Sequence, residues 1–188
     1  MSDQKPPTEA PPRGTVRQPS LLLINTGDGK GKSTAAFGTA LRAVSRGWRV
    51  GIVQFLKSGE WHVGEEKALT KLGADWWALG DGFTWDSKDM DESEAIARRA
   101  WDRARETLES GDYDLLVFDE ITYPINWGWI DLDSVETALR ERPERTNVIL
   151  TGRDAPQSLI AIADTVTEMT KVKHAYDKGV MARRGIDY

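Results

Sequence analysis

The sequence predicts an α/β fold, a three-layer sandwich with helices on both sides of a mainly parallel sheet. Two observations carry the prediction. From Leu21 onward, short apolar runs of strand length alternate with stretches of helical periodicity. Several of those runs end in glycine or charged residues, the form of a buried strand feeding a loop at its carboxyl end. With 188 residues, 39% hydrophobic and 29% charged, the chain suits one domain with a sizeable core. We expect that domain over residues 20–188, behind a tail at 1–19, with no internal repeat.

The tail holds Pro6, Pro7, Pro11, Pro12 and Pro19 among charged and polar residues. Such a segment buries too little apolar surface to offset its ordering entropy, so it reads as flexible. Leu21 to Ile24 reads as the first strand. Gly27, Gly29 and Gly31 then turn the chain into a helix that runs to about Arg46, where Gly47 stops it. Residues 50–56 read as a second buried strand, 65–72 as a helix closed by Gly73, and 74–79 as a third strand. A loop over 80–86 follows. Residues 91–110 carry Ile96, Ala97, Ala100, Trp101, Ala104 and Leu108 at helical spacing, with charges between them. Residues 114–120 are a strand ending in two carboxylates, and 131–142 a helix capped by Asp131 or Asp133. Residues 147–153 repeat the strand-to-loop form. Residues 156–163 read as a short helix with proline in its first turn, 165–172 alternate as an edge strand, and 174–188 read as irregular. Strands of a parallel sheet share their carboxyl edge, which is expected to gather residues 27–34, 54–57, 82–85, 119–120 and 152–153.

Composition excludes several classes of function. A formal net charge of -5 argues against nucleic-acid binding through bulk electrostatics. The absence of cysteine rules out disulfides and thiolate-bound zinc or iron–sulfur clusters. The two histidines, His62 and His174, stand apart from one another and from other ligands, so neither is assigned to a metal. No apolar stretch approaches bilayer length and no signal-like segment opens the chain, so the expected location is cytoplasmic, without a membrane partner. Eight tryptophans are the compositional oddity.

The chemistry is centred on Gly27-Asp28-Gly29-Lys30-Gly31-Lys32-Ser33-Thr34. Strand, glycine turn and helix form a phosphate cradle, because glycines let backbone N–H groups turn inward and the helix N-terminus adds positive potential. Lys32 supplies a mobile charge, and Ser33 or Thr34 a hydroxyl for Mg²⁺. The usual pattern places four residues between its first glycine and the Gly-Lys pair. Here only Asp28, Gly29 and Lys30 intervene, so the loop is one residue short. Asp28 brings a carboxylate into that loop, where it opposes phosphate unless it faces solvent or metal.

Asp119 and Glu120 end an apolar run, as a Mg²⁺–triphosphate site requires on the strand beside the cradle. One carboxylate takes the metal or its water and the other orients a partner; spacing does not decide which. Arg153 follows a Thr-Gly turn and is expected over the same edge as a phosphate clamp, the alternative being a surface pair with Asp154. Lys57 is a weaker case of the same argument. Phe83 and Trp85 sit in a glycine-flanked loop at that edge. A flat wall for a large planar ligand is one explanation, core filling or a subunit interface the other. Trp127 and Trp129 pose the same alternatives.

These residues together resemble the ATP:corrinoid adenosyltransferases of the cob(I)alamin type. The likeness is carried by residues 26–38, 53–57, 82–85 (Gly-Phe-Thr-Trp), 118–123, 151–153, 163–168, 172–180 and 185–188. The short phosphate loop and the Phe-Thr-Trp element are its most specific parts. The resemblance implies a P-loop NTPase (RecA-like) fold in which a Co(I) corrinoid attacks the 5′ carbon of ATP and the whole triphosphate leaves. Lys32, Mg²⁺ and Arg153 would stabilise the departing charge. By the same resemblance ATP binds reversed relative to ordinary P-loop enzymes, and Phe83 and Trp85 displace the lower cobalt ligand to give an easily reduced four-coordinate Co(II). It also implies a homodimer and an electron donor, a reduced flavoprotein or free reduced flavin. An ordinary P-loop ATPase or kinase is the main alternative reading, and a non-catalytic corrinoid carrier or ATP-sensing module the second.

Overall fold

The computed structural model describes residues 14, 16–56, 64–80 and 90–187. Among them, six strands alternate with helices: β1 (Leu22–Thr26), α1 (Lys32–Val44), β2 (Val50–Gln54), α2 (Gly64–Lys71), β3 (Asp75–Ala78), α3 (Met90–Glu109), β4 (Leu115–Asp119), α4 (Thr122–Asn126), α5 (Leu132–Arg140), β5 (Asn147–Thr151), α6 (Gln157–Ile162) and β6 (Thr165–Glu168). The strands form one sheet in the order β3-β2-β4-β5-β1-β6, and every pairing is parallel. All carboxyl ends therefore open on one edge, as the sequence predicts, and β6 lies at the sheet margin as the predicted edge strand. The fold is of the P-loop NTPase type.

One expectation is corrected. Asp119 ends β4 and Glu120 follows it, and β4 is not beside the cradle strand: β5 lies between them, with Leu22 of β1 level with Val148 and Phe118 of β4 level with Leu150. The reason is burial. Val148, Ile149, Leu150 and Thr151 are all buried, so β5 can bury both its faces and takes an interior seat.

Side chains of the central strands alternate between two cores, which is what makes three layers. Leu116 and Phe118 of β4 join Ala97, Ala100, Trp101, Ala104 and Leu108 of α3 and Val135 and Leu139 of α5 on one face. Leu115 and Val117 join Ala36, Phe37, Ala40 and Ala43 of α1 and Leu69 of α2 on the other. The apolar stripe predicted for α3 packs at Ala97, Ala100, Trp101, Ala104 and Leu108, while Ile96 is only partly buried and stays outside both cores. Asp131 caps α5 by accepting the Ser134 N–H at 2.9 Å. Pro156 stands at the N-cap of α6, one residue before the first turn in which the sequence places it. Two elements lie outside the sequence reading. The five-residue α4 holds Pro124 in its first turn, where a proline costs no helical hydrogen bond. Ala175–Lys178 form a 3₁₀ turn within the segment read as irregular. Among the described residues no helix is long and apolar enough to cross a membrane.

Candidate functional site

The cradle follows β1 directly. Lys32 opens α1, and its Nζ donates to the carbonyls of Gly27 at 2.8 Å and Gly29 at 2.7 Å, so the ammonium sits at the centre of the loop. The Asn25 amide donates to Lys32 O at 3.1 Å and ties the helix start back to β1. The loop also leans on β6: Met169 N–H donates to Thr26 O at 2.8 Å, and Gly29 N–H donates to Met169 O. The Gly29 N–H thus belongs to the sheet margin and is not one of the N–H groups that turn inward. Only glycine fits there, since a Cβ would lie 2.6 Å from Met169 O. Burial holds the Lys32 ammonium below its ordinary pKa. Arg153 adds to the depression, while Asp28 and Glu120 oppose it.

The acidic pair divides its labour. Asp119 is fully buried, and both carboxyl oxygens are occupied: Gln54 Nε2 donates to Oδ2 at 2.9 Å and the Thr151 hydroxyl to Oδ1 at 2.7 Å. Trp76 Nε1 donates to Gln54 Oε1 at 3.2 Å, and the Glu120 N–H donates to Thr151 Oγ1 at 2.9 Å. The chain of bonds runs across β3, β2, β4 and β5 and ends on the Glu120 backbone. Glu120 itself has a φ of +64°, a left-handed conformation costing on the order of 1 kcal/mol for a residue with a side chain. That turn places Glu120 on the wall of the cavity that holds Lys32 and Ser33.

Arg153 arrives from the end of β5. Gly152 has a φ of +140° and lies so close to α4 that a Cβ would meet the Thr122 hydroxyl. That hydroxyl donates to Arg153 O at 2.6 Å, and the Asn126 amide donates to Asp154 O at 3.0 Å. The backbone is thus pinned while the guanidinium stays half exposed and pairs with Asp28 at 3.5 Å. Asp28, 71% exposed, faces Arg153 and solvent, which settles how a carboxylate is tolerated in this loop.

Two cavities meet at Lys30, Lys32 and Arg153. One, of about 230 Å³, adds Ser33, Thr34, Glu120 and Tyr123. Burial raises the pKa of the Tyr123 hydroxyl and keeps it protonated. The other, of about 310 Å³, adds Asp28, Gly29 and residues of the segment after β6. The first has the hard oxygen donors that suit Mg²⁺, a Ser33 hydroxyl and a Glu120 carboxylate beside a lysine.

The structure thus brings together the predicted residues of the phosphate loop with Glu120 and Arg153, and sets Asp119 behind them. Lys57, Phe83 and Trp85 lie outside the described residues. Trp127 and Trp129 pack on each other with centroids 4.7 Å apart, and Tyr123 lies 5.8 Å from Trp127. Sequence reasoning placed Gln54 at this edge but gave no role to Gln54, Thr151 or Tyr123. A polar side chain inside an otherwise apolar strand run was the available signal for Gln54 and Thr151.

A family profile described as ATP:corrinoid adenosyltransferase BtuR/CobO/CobP matches residues 18–188. A corrinoid adenosyltransferase of Escherichia coli K12 is 44% identical over 168 residues, covering 89% of this chain and 85% of the relative. The corrinoid adenosyltransferase CobA of Salmonella typhimurium is 42% identical over the same shares. Among solved structures, the flagellar accessory protein FlaH of Methanocaldococcus jannaschii is similar with a TM-score of 0.54 at 14% identity, covering 83% of this chain and 73% of that one. The KaiC-like protein PH0186 of Pyrococcus horikoshii has a TM-score of 0.50 at 17% identity, covering 86% and 77%. These two likenesses concern the fold alone.

Proposed function

The chain belongs to the ATP:corrinoid adenosyltransferase family, and from that membership we propose that it transfers the 5′-deoxyadenosyl group of ATP to the Co(I) of a corrinoid, cobalamin or cobyrinic acid a,c-diamide. The cobalt electron pair forms the Co–C bond, the C5′–O bond breaks, and triphosphate leaves with its electron pair. The nucleophile comes with the substrate, so the chain's task is to hold ATP still and to stabilise charge on the leaving group. The meeting of Lys32, Ser33, Glu120 and Arg153 at one edge carries this reading.

Lys32 and Arg153 bind the triphosphate, and Lys30 and the loop amides that face the cradle add to its field. Ser33 and Glu120 would hold Mg²⁺, with Asp119 acting through Thr151 to fix the Glu120 backbone. When bound, Mg²⁺ neutralises part of the triphosphate charge. Phe83 and Trp85 are proposed, on the resemblance, to contact the corrinoid and displace its lower ligand. We also propose a homodimer, a reduced flavin or flavoprotein as electron donor, a cytoplasmic location, and a single catalytic unit over 20–188 behind the tail.

Product identity tests the reading. Incubated anaerobically with ATP, Mg²⁺ and chemically reduced cobalamin, the protein is expected to release intact triphosphate and a photolabile adenosyl-cobalamin, and Lys32→Ala to lose that turnover. ADP and phosphate as products would replace the proposal with an ordinary P-loop ATPase or kinase.

A further inference from the structure

The segment after β6 forms an arch over the phosphate loop. Its near end is fixed where Met169 O accepts the Gly29 N–H, and its far end where the Asp187 carboxylate accepts from Lys30 Nζ and from the Arg183 N–H. The hydrogen bonds from Lys30 and Arg183 hold the Asp187 carboxyl below its ordinary pKa, so the far anchor keeps its charge at neutral pH. Beneath the arch lies the 310 Å³ cavity, in which Lys171, His174 and Tyr176 face the loop side formed by Lys30, Lys32 and Arg153. Two of the arch residues are already held. Lys171 pairs with Asp177 at 3.2 Å, and the Tyr176 N–H donates to His174 Nδ1 at 3.1 Å. With Nδ1 accepting, His174 has its Nε2–H to offer as a donor.

Charge separates the two cavities. The one with Glu120 sets Lys30, Lys32 and Arg153 against Glu65, Glu120 and Asp187, so anion binding there calls for a divalent cation. The one under the arch sets Lys30, Lys32, Arg153 and Lys171 against Asp28 and Asp177, with His174 in addition, so positive charge stays in excess there even with Lys30 paired to Asp187. That excess of positive charge suits an anion.

We infer that the arch cavity is a second phosphate subsite, in which Lys171 and His174 bind the end of a polyphosphate chain that the metal-bearing cavity does not reach. The inference rests on the function proposed above, and it deepens it: the two cavities share Lys30, Lys32 and Arg153, and a tripolyphosphate leaving group has one more phosphate than pyrophosphate with which to extend from one into the other. Lys171 and His174 thereby select for a three-phosphate anion and hold it after the C5′–O bond breaks.

Titration of the full chain with inorganic tripolyphosphate and with pyrophosphate, each with Mg²⁺, tests this by calorimetry. The unmodified protein is expected to prefer tripolyphosphate by about tenfold or more, and the Lys171→Ala/His174→Ala pair to lose about tenfold for tripolyphosphate while pyrophosphate changes less than about twofold. Circular dichroism checks folding. Lys171→Gln, which keeps the stem and removes the charge, is read in the same titration should the double variant not fold. Equal weakening of both anions, an unchanged preference, or no preference in the unmodified protein overturns the subsite. The titration contains neither adenosine nor corrinoid, so its result is independent of the product assay: ADP formation would remove the proposed function and leave the anion preference standing.

Discussion

Lys32 is where folding and binding pull in opposite directions. Burial and Arg153 lower its pKa from 10.5, so the folded protein binds its proton less tightly than the unfolded chain does. The stability cost of the charged lysine is therefore fully present below the lowered pKa and is relieved as pH rises toward 10.5. A polyphosphate reverses this by favouring the ammonium. Binding should then be accompanied by proton uptake at pH above the lowered free-state value and below the value in the complex, and affinity should fall as pH rises through that window. Calorimetry in two buffers of different ionisation enthalpy reads the uptake, and Lys32→Ala should abolish it. Uptake that survives the substitution would assign the proton to another group. Glu120 shows the same trade on the backbone, where a left-handed φ is tolerated because Thr151 accepts its N–H. That detail explains why the sequence could name an acidic pair but not its division of labour. Adjacent carboxylates look alike in a string, and only the residue beyond the strand end turns toward the cavity.

At the scale of elements, the phosphate loop is a strand extension as well as a binding loop, since Met169 bonds to both Thr26 and Gly29. Gly29→Ala is expected to force the loop off β6, because the new Cβ would lie within 2.9 Å of three backbone atoms of Met169 and Thr170. We expect a loss of about 1–3 kcal/mol in stability and about tenfold or more in tripolyphosphate affinity, read by thermal unfolding and calorimetry. Wild-type behaviour in both would mean that the contact with β6 is dispensable. The strands themselves were legible, because short apolar runs such as 21–24 and 148–150 permit little else. Their order was not: chain position does not reveal that β5 separates β1 from β4. The short α4 was invisible because five residues with an internal proline have no helical period. The arch was invisible for a different reason, being held by Lys30 and Asp187 across 157 positions of a polar sequence.

Across the whole molecule, the bonds that converge on Asp119 join four strands, β3 through Trp76, β2 through Gln54, β4 through Asp119 and β5 through Thr151. Phe37 of α1 packs on Trp76 with centroids 5.1 Å apart, which ties the helix carrying the cradle to the same network. A buried polar network of this kind stabilises only while each member is satisfied. Gln54→Leu removes the donor to Asp119 Oδ2 and the acceptor for Trp76, leaving a fully buried carboxylate oxygen without that partner and a half-buried indole N–H without its acceptor. The expected cost is about 3 kcal/mol, or roughly 6–12 °C in Tm for a chain of this size. Asp119→Leu should cost a similar amount. If the two act through their shared bond, the double variant costs less than the sum of the singles by about 1–3 kcal/mol, because neither partner is then left alone. Additive losses in thermal unfolding would instead make Gln54 and Asp119 independent core residues. The network would then be packing that happens to lie behind the site, rather than the frame that sets the Glu120 backbone at its edge.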